Sequence, residues 1–169
     1  MSEAPEFLAK ELIDRLVAGE VEFVLIGGIA AQAHGSPSLT ADLDIVPSWD
    51  RDNLRKVALL LAEIAAVRHG VPEDSPPLPP LDEGTLLAGA VFTLTTRFGR
   101  FDLLANPDPG LDFDALMRSA VEYEFLGHRL HVASLDDLIA MKRAAGRPKD
   151  RVELEILGAL REEIDRGQP

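Results

Sequence analysis

Apolar and polar residues follow one another along this chain in two rhythms. At helical spacing, Leu8, Leu12, Ile13, Leu16 and Val17 predict an amphipathic helix over 5–18, stopped at Gly19. A second stripe, Leu54, Val57, Ala58, Leu61 and Ile64, predicts a helix over about 50–66 with Asp50 as its N-cap. Strand-like segments lie between and after them: an unbroken apolar run over 21–26, then strict alternation over 41–46. Further on, 90–96 and 99–104 read as a hairpin turning at Arg97-Phe98-Gly99. A short helix over 112–120 precedes a second strand pair, 121–126 and 129–133, turning at Gly127-His128. Ser134-Leu135-Asp136-Asp137 has the form of a capping box and opens a helix carrying Leu135, Leu138, Ile139 and Met141. Gly146 closes that helix, and Pro148 starts a last one with Leu154, Leu157, Leu160 and Ile164 inward. The five prolines within residues 70–80 exclude both helix and central strand, so this stretch reads as a stiff surface connector. The expectation is an α+β fold: a small mixed sheet backed by helices, with a C-terminal helical segment.

Composition narrows the picture. At 169 residues and 46% apolar content the chain is expected to form a single domain over 1–169, with its core in 21–133 and its helical end in 134–166. It has no cysteine, which removes disulfides and thiolate metal sites. No apolar run reaches membrane-spanning length, and the first residues lack the pattern of a secretion signal, so the expected location is cytoplasmic, away from membranes. The net charge of −12 repels nucleic acid in general, so an RNA or DNA partner would have to meet a local basic patch.

The chemistry gathers in residues 21–46. In Ala41-Asp42-Leu43-Asp44-Ile45-Val46, strand alternation turns Asp42 and Asp44 to one face and Leu43 and Ile45 to the other. Two carboxylates at 4 Å repel by about 4 kcal/mol at an effective dielectric of 20, a strain that a divalent cation between them relieves. Just upstream, Gly27-Gly28 follow the apolar strand, allow a tight turn, and offer free amides at a helix start as a phosphate seat. Asp102 lies between Phe101 and Leu103 on a strand otherwise fit for burial, where a cation partner is the simplest account of a carboxylate. Ser36 is a candidate for hydrogen-bonding a phosphate, with capping of its own turn as the stronger structural reading. The histidines lead elsewhere: His128 and His131 fall on opposite faces of a strand, and His34 suits packing or turn chemistry.

A glycine pair, a spacer, Asp-x-Asp and a later strand aspartate, in that order, resemble the nucleotidyltransferase superfamily typified by DNA polymerase beta. The C-terminal run VASLDDLIAMKRAAGRPKD narrows the resemblance to minimal bacterial nucleotidyltransferases of the AbiEii/MenT type, toxins of toxin–antitoxin pairs. Lys142 and Asp150 match the Lys and Asp of that family's C-terminal motif. The similarity spans about Val21 to Leu160 and departs at Gly28, where many members have serine, and at Ser38, where close relatives often have arginine.

The resemblance implies Mg²⁺, with Mn²⁺ as a substitute, held by Asp42, Asp44 and Asp102. It implies a nucleoside triphosphate held by Gly27, Gly28, Ser36, Lys142 and Asp150, with Lys142 serving catalysis beside the three aspartates. The expected reaction is transfer of a nucleoside monophosphate to an acceptor hydroxyl, on RNA or tRNA, with an antitoxin protein as partner. Two alternatives stay open: transfer to a small molecule such as an antibiotic, and a nonenzymatic partner protein of the same fold.

Overall fold

The computed structural model describes residues 6–167. Its first half runs α1 (Ala9–Ala18), β1 (Phe23–Ile26), α2 (Gly27–Ala33), β2 (Asp42–Pro47), α3 (Arg51–Glu63), β3 (Val67–Arg68) and α4 (Glu83–Ala88). The second half runs β4 (Val91–Thr96), β5 (Gly99–Leu104), α5 (Phe113–Ser119), β6 (Val121–Phe125), β7 (His128–Val132), α6 (Leu135–Ala145) and α7 (Asp150–Asp165). Among the described residues seven strands form one mixed sheet, in the order β3-β4-β5-β2-β1-β7-β6. β2 runs parallel to β5 and β1 parallel to β7, while the other neighbours are antiparallel. The α+β architecture expected from the hydrophobic pattern is the one observed.

The core follows from strand alternation. Leu43 and Ile45 of β2, Phe101 and Leu103 of β5, and Leu94 of β4 are fully buried and join Leu12, Ile13 and Leu16 of α1 and Leu54, Val57 and Leu61 of α3 in one cluster. The residues between them on the strands, Asp42, Asp44, Thr93, Thr95, Arg100 and Asp102, are only partly buried and belong to the opposite face. At β2, β4 and β5 one side of the sheet is thus committed to packing and the other is left for polar groups, while β1 is buried throughout.

The caps are those the sequence announces. Asp50 accepts the Asn53 amide, Ser134 accepts the Asp137 amide, and Gly146 ends α6 in a left-handed conformation with φ of 60°. The structure departs from these expectations at the chain's helical ends and around the proline stretch. The first helix begins at Ala9, because residues 6–8 run extended and Leu8 donates its amide to the Phe98 carbonyl at the β4–β5 turn. Pro5, included in the predicted span, lies outside the described residues, and Val17 is exposed. Ile164 is exposed too, since α7 outruns the helix it packs on. After the proline stretch stands a helix without a strong apolar stripe, α4, capped by Asp82, with Leu86 as its buried residue and Glu83 paired to Arg51 and Arg55 of α3. The two-residue edge strand β3 also had no readable periodicity; it is pairing with Thr95 and Leu94 of β4 that makes it a strand.

Asn53 ties three elements together. Its Oδ1 accepts the Glu22 amide at 2.8 Å, and its Nδ2 donates to the Glu22 and Ser48 carbonyls, each at 2.9 Å. The side chain is buried at the foot of β1 and β2, away from the aspartate face. Asn53→Ala leaves the Glu22 amide and the Ser48 carbonyl without this partner, while the Glu22 carbonyl keeps the Ser48 amide at 3.0 Å, and is expected to lower the unfolding free energy by about 2–4 kcal/mol. Chemical denaturation of the purified variant checks this, and a loss below ~1 kcal/mol would show that water takes over those bonds.

Candidate active site

The parallel pairing of β2 with β5 sets Asp44 directly beside Asp102, and Asp42 beside Arg100. The three aspartates therefore converge, each offering a carboxylate oxygen such that all three oxygens lie within 4.8 Å of one another. Among the described residues this is the one such cluster of acidic or imidazole groups. Asp102 Oδ1 is buried and has no hydrogen-bond partner, so an acceptor is left unsatisfied within the cluster. That orphan, in an all-oxygen set of hard ligands, fits Mg²⁺ or Mn²⁺. Electrostatics agree. Burial, then the charges of Asp42 and Asp102, push the Asp44 carboxyl up to about 7, against the pull of Lys142. Burial also raises Asp102, opposed by the nearby Arg100 guanidinium and reinforced by Asp42.

The glycine pair is packed into this cluster. Gly27 opens α2 at φ of +70°, and a Cβ there would lie 2.2 Å from Asp44 Oδ2. The antiparallel register that sets Ile26 opposite Asp44 brings the two together. A Cβ on Gly28 would fall 2.7 Å from both Cβ and Oγ1 of Thr40. Both positions thus require glycine on steric grounds alone.

The remaining predicted residues distribute as follows. Ser36 is buried, and its Oγ accepts the Ser38 amide at 3.2 Å, which is the turn-capping arrangement. Lys142 on α6 lies near enough to Asp44 to stabilise its charge, while its Nζ donates to Asp150 Oδ1 at 3.3 Å. Asp150 is 1% exposed; against the effect of burial, hydrogen bonds from Arg147 and Lys142 hold its carboxyl below the usual range. Arg147 reaches it three times, through Nε at 2.9 Å, its amide at 3.1 Å and Nη2 at 3.3 Å. The histidines take structural partners: His34 Nε2 meets the Ala133 carbonyl at 2.8 Å and Nδ1 the Tyr123 hydroxyl at 3.0 Å, and His128 pairs with Asp14.

Two neighbours of the cluster are not singled out by the sequence reading, Thr40 and Arg100. Thr40 Oγ1 donates to Asp42 Oδ1 at 2.8 Å, and Arg100 Nη2 lies 3.9 Å from Asp102 Oδ2. Each stands two positions before a candidate aspartate; on β5 that spacing was the available signal, because residues i and i+2 of a strand share a face, whereas Thr40 precedes β2 and its place depends on the fold. A cleft of about 760 Å³ between α3 and the proline stretch is lined by none of the three aspartates. The aspartate site is a partly buried patch on the sheet face opposite the apolar cluster.

No protein-family model matches the sequence, and no curated protein matches it. Solved structures do match its fold. The lincosamide antibiotic adenylyltransferase LnuA, solved with lincomycin bound, aligns over 92% of this chain and 99% of its own, at 18% identity and a TM-score of 0.61. TM1012 of Thermotoga maritima, assigned as a nucleotidyltransferase, aligns over 93% of this chain and 90% of its own, at 18% identity and a TM-score of 0.54. The antibiotic-resistance factor ANT(2'')-Ia aligns over 93% and 91%, at 13% identity and a TM-score of 0.55. The chain has the nucleotidyltransferase fold.

The raised Asp44 carboxyl gives a signed expectation. With a folded value near 7 against an ordinary 3.8, the metal-free folded state holds an extra proton between those limits. Stability therefore falls as pH rises through that window and levels off above it. Asp44→Asn removes the fall. At pH 8 the metal-free variant is expected to be more stable than the wild type by about 1–3 kcal/mol, with the gap closing near pH 4. Millimolar Mg²⁺ is expected to narrow the gap at pH 8 by stabilising only the wild type. Thermal unfolding at the two pH values checks this, and equal stability at pH 8 would mean the carboxylates are not in conflict.

Proposed function

We propose that this protein is a divalent-metal-dependent nucleotidyltransferase. The observation that carries the reading is the convergence of Asp42, Asp44 and Asp102 beside the glycine start of α2, within this fold. Asp42 and Asp44 would hold Mg²⁺ against the triphosphate, with Asp102 completing the set on the acceptor side. When bound, the metal supplies charge neutralisation and alignment for in-line attack. The acceptor oxygen attacks the α-phosphorus, the bond to the bridging oxygen of the β-phosphate breaks, and pyrophosphate leaves. Asp102 is the carboxylate assigned to take the acceptor's proton. The amides of Gly27 and Gly28 bind phosphate oxygens, the Ser36 hydroxyl stands behind that turn, and Lys142 contributes a point charge oriented by Asp150.

For the acceptor, the first reading is RNA, with the protein acting as the toxin of a toxin–antitoxin pair of the AbiEii/MenT type. Its support is local charge: Arg143, Lys149 and Arg151 are exposed and have no ion-pair partner among the described residues, and they flank Lys142. The second reading is a small-molecule acceptor. It is favoured by the match to LnuA over nearly that whole protein and by an acidic surface suited to a cationic ligand.

Incubation with α-labelled nucleoside triphosphates and Mg²⁺, against total RNA and against a panel of lincosamides and aminoglycosides, separates these readings. Label in RNA supports the first and label in an antibiotic the second. No label in either, or equal label from Asp44→Asn, removes the catalytic claim. Lys142→Ala is expected to lower transfer tenfold or more, about 1.5–3 kcal/mol for a lost charge-assisted phosphate contact. Unfolding should shift little, because Arg147 remains on Asp150. A variant that melts far earlier yet transfers normally per folded molecule would make Lys142 structural.

A further inference from the structure

Residues 36–40, between α2 and β2, lead into the carboxylates read as metal ligands; Ser36 is buried, yet no apolar side chain of the segment enters the core. Leu39, their large apolar side chain, is 96% exposed. Polar bonds fasten the segment instead. Ser36 Oγ accepts the Ser38 amide at 3.2 Å, and Gln32 Nε2 of α2 donates to the Ser38 carbonyl at 2.8 Å. The fastened segment delivers Thr40 to one place, with its methyl, Cβ and hydroxyl against Gly28 and its Oγ1 donating to Asp42 Oδ1 at 2.8 Å.

A threonine hydroxyl has one proton, and here the short bond to the carboxylate takes it; the Asp42 carbonyl lies further off at 3.4 Å. Asp42 sits at the start of β2, where backbone pairing leaves the direction of its carboxylate unset. Occupying Oδ1 with a donor restrains the rotation of that carboxylate within a cluster whose three aspartates each bring an oxygen within 4.8 Å of the others. Space explains the glycine. A Cβ on residue 28 would strike three atoms of Thr40, at 2.7, 2.7 and 3.2 Å. Any side chain there displaces Thr40 and releases Asp42.

We propose that Thr40 is a positioning residue for the metal site, and that Gly28 and Thr40 form a matched pair in which the absent side chain of one makes room for the other to hold Asp42. This rests on the reading of Asp42, Asp44 and Asp102 as metal ligands and adds the device that orients the first of them.

The test is binding of Mn²⁺ alone, without nucleotide, followed by electron paramagnetic resonance, with thermal unfolding measured beside it. Thr40→Val keeps the shape and removes the donor; Mn²⁺ affinity is expected to fall by about tenfold, as for other partners that orient a ligand, with melting within roughly 2 °C of the wild type. Thr40→Ser keeps the donor and is expected to bind within about twofold of the wild type. Gly28→Ala is expected to lose affinity by displacing Thr40, and Gly28→Ala combined with Thr40→Val to lose no more than Thr40→Val alone, the non-additivity of a coupled pair. Should Gly28→Ala fail to fold, the two Thr40 variants decide. If the wild type binds Mn²⁺ and Thr40→Val binds it equally well or better, the positioning role is wrong while the metal site stands. If the wild type binds none, the metal site falls and the role of Thr40 falls with it.

Discussion

The structure turns on the repulsion of three carboxylates on adjoining strands. Asp44 and Asp102 are direct neighbours in a parallel pair, and Asp42 stands one pleat away on the same face. Nothing in packing favours this, since the fold buries an acceptor without a donor and pushes one carboxyl up to about 7. Local structure is shaped to permit it. β2 and β5 are held in register by Leu43, Ile45, Phe101 and Leu103, which are fully buried on the opposite face, and a one-residue slip would exchange the two sets. The apolar face thus enforces the polar one. A sheet that is dry on one side holds the acids in a geometry they would otherwise leave.

The same logic explains what was legible in the sequence. Alternation in 41–46 and 99–104 gave both the strands and the faces of the three aspartates, because a half-buried strand writes its orientation into its pattern. Capping residues at 50, 134 and 146 fixed helix ends because each satisfies a stated backbone group. What stayed hidden depends on contacts between distant segments. β3 is a strand only because Thr95 and Leu94 accept it as a partner, and α4 is a helix only because Asp82 caps it and Leu86 finds a pocket. Gly28 could be read as a turn residue from sequence. That it makes room for Thr40, twelve positions on, required the fold.

Lys142 and Asp150 illustrate a reading that geometry sharpened without deciding. Their pairing across the α6–α7 turn is an ordinary structural contact, and Arg147 strengthens it. Yet the charge of Lys142 also acts on Asp44, across the gap from the C-terminal helices to the sheet. A cation that stabilises a buried carboxylate and lies beside a metal-type cluster is well situated for both roles, since the same field that favours ionised Asp44 favours a bound phosphate. Structural and functional roles do not compete at such a residue.

Net charge might be taken to argue against any anionic ligand, at −12 over the chain. Distance decides otherwise. At physiological ionic strength exposed charges beyond about 8 Å are largely screened, so a ligand at the site responds to what lies within that radius. Within residues 142–151 there are five cations, Lys142, Arg143, Arg147, Lys149 and Arg151, and one acid, Asp150. That acid is buried and already shared between Lys142 and Arg147. The turn between α6 and α7 is therefore locally positive, and through Lys142 its charge acts on Asp44.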